Sequence, residues 1–339
     1  MSVEAKVFGH TADGREVKQF IIHAGVTRMV SLIEIGACIQ GLWVADRCGN
    51  LRDIVLGYDT VAQYEDNPTF FGAALGRLIS RMPDCTLHFE GRDYPLDNID
   101  GMHMHGGVKG FSRVKWHGEI IGENAVCFTY VSPDGEEGYP GELTAHITYT
   151  LDAAGLTIDY DMCADRRTVV NPSNHSYFNL NGHMSGDICG HTLCCPVTGS
   201  FNQLTEESSP LFEGTDLNDA RVLGEVFACR YPSLEEMGGG IDHKFILSEL
   251  SAQMKDAGTL YSPDSGIKMQ CRTTMPCIMI YTGNMVDIDG KCGYHYGKHS
   301  GICFETMLFS SLHDMYGSVA VIAPGKAHHS STQFTFSIA

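Results

Sequence analysis

Positive charge is scarce in this chain, and so are the patterns that mark a membrane or a nucleotide. Lys and Arg together number 23 against 41 Asp and Glu, a formal net charge of -18. Such a surface repels polyanions over most of its area, which argues against nucleic acid and acidic membranes as partners. No apolar run is long enough to cross a bilayer, and the opening Met1-Ser-Val-Glu-Ala-Lys6 lacks the apolar centre of a secretion signal, so a cytosolic location is expected. Also missing are a G-x-G-x-x-G after a strand, a Walker lysine loop, a G-x-S-x-G elbow and an H-E-x-x-H pair. Nucleotide-driven and serine-hydrolase chemistry lose ground with them.

Cysteine, by contrast, is abundant. There are 13, an odd number, with no C-x-x-C, and Cys194 and Cys195 are neighbours that rarely bridge. Reduced, buried thiols acting as small apolar residues are the expectation in a reducing compartment.

Periodicity favours strands. Leu143, Ala145, Ile147, Tyr149 and Leu151 alternate with Thr144, His146, Thr148 and Thr150, giving one apolar face. Asp152 to Gly155 supplies a turn, and Leu156, Ile158, Tyr160 and Met162 then alternate again, so a long antiparallel hairpin is predicted. Similar patterns recur at Val17 to His23, Thr86 to Leu96, Ala125 to Val131 and Phe334 to Ile338. Helical periodicity is short and rare, best at Thr60 to Asp66 and Ser233 to Met237, and the 38 glycines suit many turns. An all-β sandwich or barrel with long functional loops follows. No Pro-, Gly- or Ser-rich linker and no fixed-period repeat interrupts it, so residues 1–339 are read as one domain.

Four polar clusters could carry chemistry. In Asn171-Pro-Ser-Asn-His-Ser-Tyr-Phe-Asn-Leu180, amides and hydroxyls surround His175 and could fix its tautomer, making it a proton-transfer candidate. In Gly101-Met-His-Met-His-Gly-Gly107, an extended backbone would put His103 and His105 on one face, suited to hydrogen bonding a ligand or, with a third donor such as His328 or His329, to a metal. Asp242 leads an apolar strand within Gly240-Ile-Asp-His-Lys-Phe-Ile-Leu247 and could accept hydrogen bonds from sugar hydroxyls or cap a turn. Glu305 interrupts the apolar run Gly301-Ile-Cys-Phe-Glu-Thr-Met307, so it faces a partner or a cavity; a buried carboxyl there has a raised pKa and can serve as a base.

Taken in order, these segments resemble the aldose 1-epimerase (galactose mutarotase) family over nearly the whole chain. The resemblance is carried by Phe71-Gly-Ala-Ala-Leu-Gly-Arg-Leu-Ile-Ser-Arg81, His105-Gly-Gly-Val-Lys-Gly-Phe111, Ser132-Pro-Asp-Gly-Glu-Glu-Gly-Tyr-Pro-Gly-Glu142, Asn174-His-Ser-Tyr-Phe-Asn-Leu180, Gly240-Ile-Asp-His243, Tyr281-Thr-Gly-Asn284 and the surroundings of Glu305-Thr306. It implies a mostly antiparallel β-supersandwich of the galactose mutarotase type with few short helices. It also implies a sugar in an open cleft, with no metal or organic cofactor. By position, His175 would be the general acid and Glu305 the general base, while Arg81, His105 and Asp242 would bind the sugar and Ser176 and Tyr177 would line the same pocket. The implied reaction exchanges the α and β anomers of a free hexose such as galactose or glucose, by a monomer or homodimer. Three positions depart from the family: Ser80 stands where an asparagine is common, and Met279 and Met307 stand where glutamines are common. These are substrate-contact positions, so a related sugar epimerase with another substrate or carbon, or a non-catalytic sugar-binding protein of the same fold, stay open as alternatives.

Overall fold

The computed structural model describes residues 1–82, 84–197, 199–202, 217–247, 250–308 and 321–339. Three larger antiparallel sheets account for most of its strands. A five-stranded meander runs in chain order through Ser2–His10, Glu16–Ala24, Arg28–Ile33, Cys38–Ala45 and Leu51–Asp53. A nine-stranded sheet is ordered His117–Gly122, Ala125–Ser132, Leu143–Leu151, Gly155–Ala164, His328–Ile338, Ile267–Thr273, Lys255–Tyr261, Thr192–Cys194 and Arg221–Val222. The third is ordered Tyr177–Phe178, Ile302–Met307, Cys277–Tyr281, Asp242–Ile246 and Gly199–Asn202.

The alternation in Leu143–Leu151 is realised residue by residue, its odd positions buried and its even ones half-buried. It pairs along its length with Gly155–Ala164, Leu151 opposite Leu156, which is the hairpin that the sequence predicts. Thr86 to Leu96 differs from a single run: Glu90 and Gly91 both take positive φ and split it into the hairpin Thr86–Phe89 and Arg92–Pro95. Helices are few and short among the described residues. Val61–Asp66 begins with a reciprocal cap between Thr60 and Gln63 and stops where Asn67 turns left-handed. Pro232–Glu236 starts on its proline, as an imino acid without an N–H allows. Gly110–Arg113 and Leu223–Ala228 carry no periodic signal long enough to read.

One apolar cluster joins all three sheets: Phe20, Val30 and Leu42 from the meander, Phe128, Ile147, Ile158 and Phe334 from the nine-stranded sheet, and Ile278, Ile280, Ile302 and Phe304 from the third. A second cluster holds Cys277, Met279, Cys303 and Met307 with Tyr58, Phe70, Phe71, Tyr177 and Tyr296. Successive strand residues point to opposite faces, so Ile302 and Phe304 enter the main core while Cys303, Glu305 and Met307 face the second cluster. Ile302–Met307 is buried on both sides, which is why it reads as a continuous apolar run broken only by its acid and threonine. Thr306 faces the main core with Ile302 and Phe304, where its hydroxyl meets that of Thr332 at 2.5 Å.

Candidate active site

One face of the third sheet floors an open cavity of about 200 Å³, lined by Ser80, Arg81, His105, His175, Tyr177, Asp242, Met279, Tyr281, Glu305 and Met307 among others. Residues scattered from the first quarter of the chain to its last meet here because several strands and the loops between them converge. Cross-strand register places Glu305 opposite Met279, Met279 opposite Lys244, and Asp242 opposite Tyr281.

His175 is pinned through its backbone. Its N–H donates to the Ala73 carbonyl at 2.9 Å and its carbonyl accepts from Gly72 at 3.1 Å. Gly72 lies at φ +68, and a Cβ there would stand 2.1 Å from the Ile39 carbonyl oxygen, so only glycine fits this crossing. The imidazole is sandwiched between Phe70 (centroids 5.8 Å apart) and Tyr177 (4.9 Å), both nearly parallel to it. Its Nε2 is 3.6 Å from Glu305 Oε1 and its Nδ1 is 3.4 Å from Cys303 Sγ.

Burial decides the charge state of this pair. Desolvation lifts the Glu305 carboxyl well above the ordinary carboxylate range, with Asp242 adding to the rise and Arg81 opposing it. Desolvation also depresses His175 to about 3. Both directions favour the neutral forms of a carboxyl and an imidazole that stand 3.6 Å apart.

Arg81 comes from a short strand pair with Met104. One guanidinium nitrogen lies 3.6 Å from Asp242 Oδ2, while Nη1 is buried without a partner among the described residues. Asp242 is raised to about 6 by burial, against the pull of Arg81. His105 sits at φ +52, which turns its ring away from the line of His103. Its Nδ1 accepts from Ser80 N–H at 3.4 Å, leaving Nε2 as the protonated nitrogen of the neutral ring, and its N–H donates to the Ser80 carbonyl at 3.1 Å. Burial holds this imidazole well below its usual pKa, so it acts as a neutral donor. The loop behind it is clasped by Glu137, whose carboxylate accepts from the backbone of Val108, Lys109 and Gly110 at 2.8 to 3.2 Å.

Two sequence expectations need correction. His103 and His105 do not share a face: the left-handed turn at His105 separates them, and His103 bonds the Asp97 carbonyl and the Tyr139 hydroxyl, each at 2.5 Å. His328 meets Ser330 and His329 meets Asp161, so neither completes a metal site with them. Ser176 is not in the pocket lining; alternation turns it away from His175 and Tyr177, and its hydroxyl donates to Asn174 Oδ1 at 2.6 Å. Arg81, His105, His175, Tyr177, Asp242, Glu305, Ser80 and Met279 all reach the cavity. Sequence reasoning missed Phe70, Met104, Tyr281 and Met285, all in its wall. Phe70 adopts φ +57 and carries the Arg113 guanidinium 5.1 Å above its ring, a conformation that no local sequence signal announces.

One ligating atom each from His175, Cys303 and Glu305 lies within 4.8 Å of the others. The ring, however, aims one nitrogen at Cys303 and the other at Glu305, so the three donors do not converge on a point.

The fold is built on large antiparallel sheets, and its pocket brings a carboxyl and an imidazole together with further polar side chains. The aldose 1-epimerase family profile matches residues 18–335. The galactose mutarotase of Sus scrofa is 36% identical over 350 residues, covering 100% of both chains, and the aldose 1-epimerase of Escherichia coli is 28% identical over 96% of each. Among solved structures, the aldose epimerase homologue from C. elegans superposes with a TM-score of 0.84 at 24% identity over 94% of this chain and 98% of its own. The galactose 1-epimerase of Lactobacillus acidophilus gives 0.84 at 19% over 100% and 99%. The chain belongs to the aldose 1-epimerase family.

Proposed function

We propose that the protein interconverts the α and β anomers of a free aldose by opening and reclosing its ring, with Glu305 and His175 moving the protons. The observation that carries this reading is the buried Glu305–His175 contact of 3.6 Å at the floor of an open pocket. His175 Nε2 faces Glu305 and its Nδ1 faces Cys303 Sγ. The C1 hydroxyl of a bound sugar donates to Glu305 and favours its ionised form, with His175 as the protonated partner.

Ring opening then follows with atoms in balance. Glu305 takes the O1 proton, the O1 electrons form the aldehyde, the C1–O5 bond breaks, and O5 takes the proton from His175 Nε2. Rotation about C1–C2 presents the other carbonyl face. Closing reverses both transfers and restores the starting protonation. His105 Nε2–H and the unpartnered Arg81 Nη1 are donors for the ring oxygen and hydroxyls, and Asp242 is the acceptor that fixes the sugar. Polarimetry of a freshly dissolved pure anomer tests the activity; wild-type protein that leaves the spontaneous rate of galactose, glucose and their deoxy analogues unchanged refutes it.

We further infer a cytosolic protein acting as a monomer or homodimer without nucleic acid, in keeping with the net charge of -18 and with an odd count of thirteen cysteines. Fractionation and gel filtration check these points.

A further inference from the structure

The register of the third sheet fixes what stands on either side of Glu305. On one side Met279 is its direct cross-strand partner. On the other, His175 precedes the strand that pairs Tyr177 with Cys303, and its Nε2 lies 3.6 Å from the carboxylate. Imidazole, carboxylate and thioether thus form a row across the pocket floor. An anomeric centre has a matching order, because C1 carries O1 and is flanked in the ring by O5 and C2. With O1 over Glu305 and O5 toward His175, C2 falls on the side of Met279.

Met279 offers that carbon nothing polar. Its side chain is 2% exposed, carries no donor and has only a weakly accepting sulfur. Lys244, next in the row, is not among the side chains that line the cavity. Met307, two residues beyond Glu305 on the same face, and Ile79 extend the apolar wall. The polar groups Arg81 and Asp242 gather instead around the Asp242–Tyr281 pair, one step along the strands in the other direction.

We propose that Met279 makes this site selective for aldoses without a hydroxyl at C2, so that 2-deoxyaldoses are its preferred substrate class; this rests on the anomer-exchange reading above. A 2-hydroxyl seated against the thioether surrenders its water and gains no partner, whereas a C2 methylene packs against it.

The test measures kcat/KM for mutarotation of 2-deoxygalactose against galactose, and of 2-deoxyglucose against glucose, each divided by that sugar's uncatalysed rate in the same buffer. The expected ratio favours the 2-deoxy sugar by about tenfold to a hundredfold. Met279→Gln, similar in length but able to hydrogen bond, should lower the ratio by about tenfold by improving the parent sugars, and Met279→Leu should keep it. A wild-type ratio at or below one overturns the inference, and this holds even if Met279→Gln fails to fold. A ratio unmoved in a folded Met279→Gln protein also overturns it while leaving anomer exchange intact. No acceleration of any of the four sugars overturns both readings together.

Discussion

Replacing Glu305 with glutamine separates chemistry from folding at the residue on which the mechanism rests. The side chain is 2% exposed and its amide analogue has nearly the same shape, so packing against Met279 and Tyr177 survives. Because burial favours the neutral form of this carboxyl, glutamine matches that uncharged form and adds no buried charge. Stability should therefore stay level or rise. What disappears is the group that accepts the O1 proton, and a positioned acid or base contributes about a hundredfold to ten-thousandfold. That equals about 3 to 5 kcal/mol of barrier at 25 °C. Polarimetry of α-galactose or its 2-deoxy analogue, with the spontaneous rate subtracted, should show kcat/KM falling by that factor. Thermal unfolding followed by circular dichroism should show Tm unchanged or higher. A Glu305→Gln protein that is folded and equilibrates anomers at the wild-type rate refutes the reasoning, and one that unfolds contradicts the expectation that burial favours the neutral carboxyl.

His175→Asn should lose a similar factor in kcat/KM without losing sugar binding, checked by polarimetry together with calorimetric titration. Asp242 has its pKa raised from 3.8 to about 6 on folding, so the native state holds its proton more tightly than the unfolded chain. Its contribution therefore favours folding at low pH and is lost as pH rises from about 4 to about 6, by about 3 kcal/mol at most. Asp242→Asn should remove that loss, giving a protein more resistant to urea than wild type at pH 8 and no more resistant at pH 4. Glu137→Ala frees three backbone N–H groups that its carboxylate holds behind His105 and should cost about 2 to 4 kcal/mol in urea unfolding. Its KM should rise more than its kcat falls, since His105 orients the sugar without exchanging protons.

The strands of the large sheet were legible because one face of each is wetter than the other. Leu143–Leu151 alternates in sequence because it alternates in burial. The pocket floor offers less: Ile302–Met307 and Cys277–Tyr281 are covered on almost every position, so periodicity says nothing about which residue faces the cavity. Glu305 stood out because an acid inside an apolar run needs a reason, and its neighbours Met279 and Met307 could be assigned only by resemblance. Ser176 was misplaced although two-residue alternation from His175 would have turned it away. The divergence of His103 and His105 depends on a positive φ at a histidine, and the stacking of Phe70 on His175 depends on another at a phenylalanine. Such conformations arise from tertiary contacts rather than local preference.

The most direct measurement is a crystal structure of the protein with a slowly turned-over aldose bound, in the Glu305→Gln form. The account predicts the C1 hydroxyl oxygen within hydrogen-bond distance of residue 305, the ring oxygen within reach of His175 Nε2, and C2 against Met279. A sugar seated with its anomeric carbon away from residue 305 and His175, or bound outside this cavity, contradicts it.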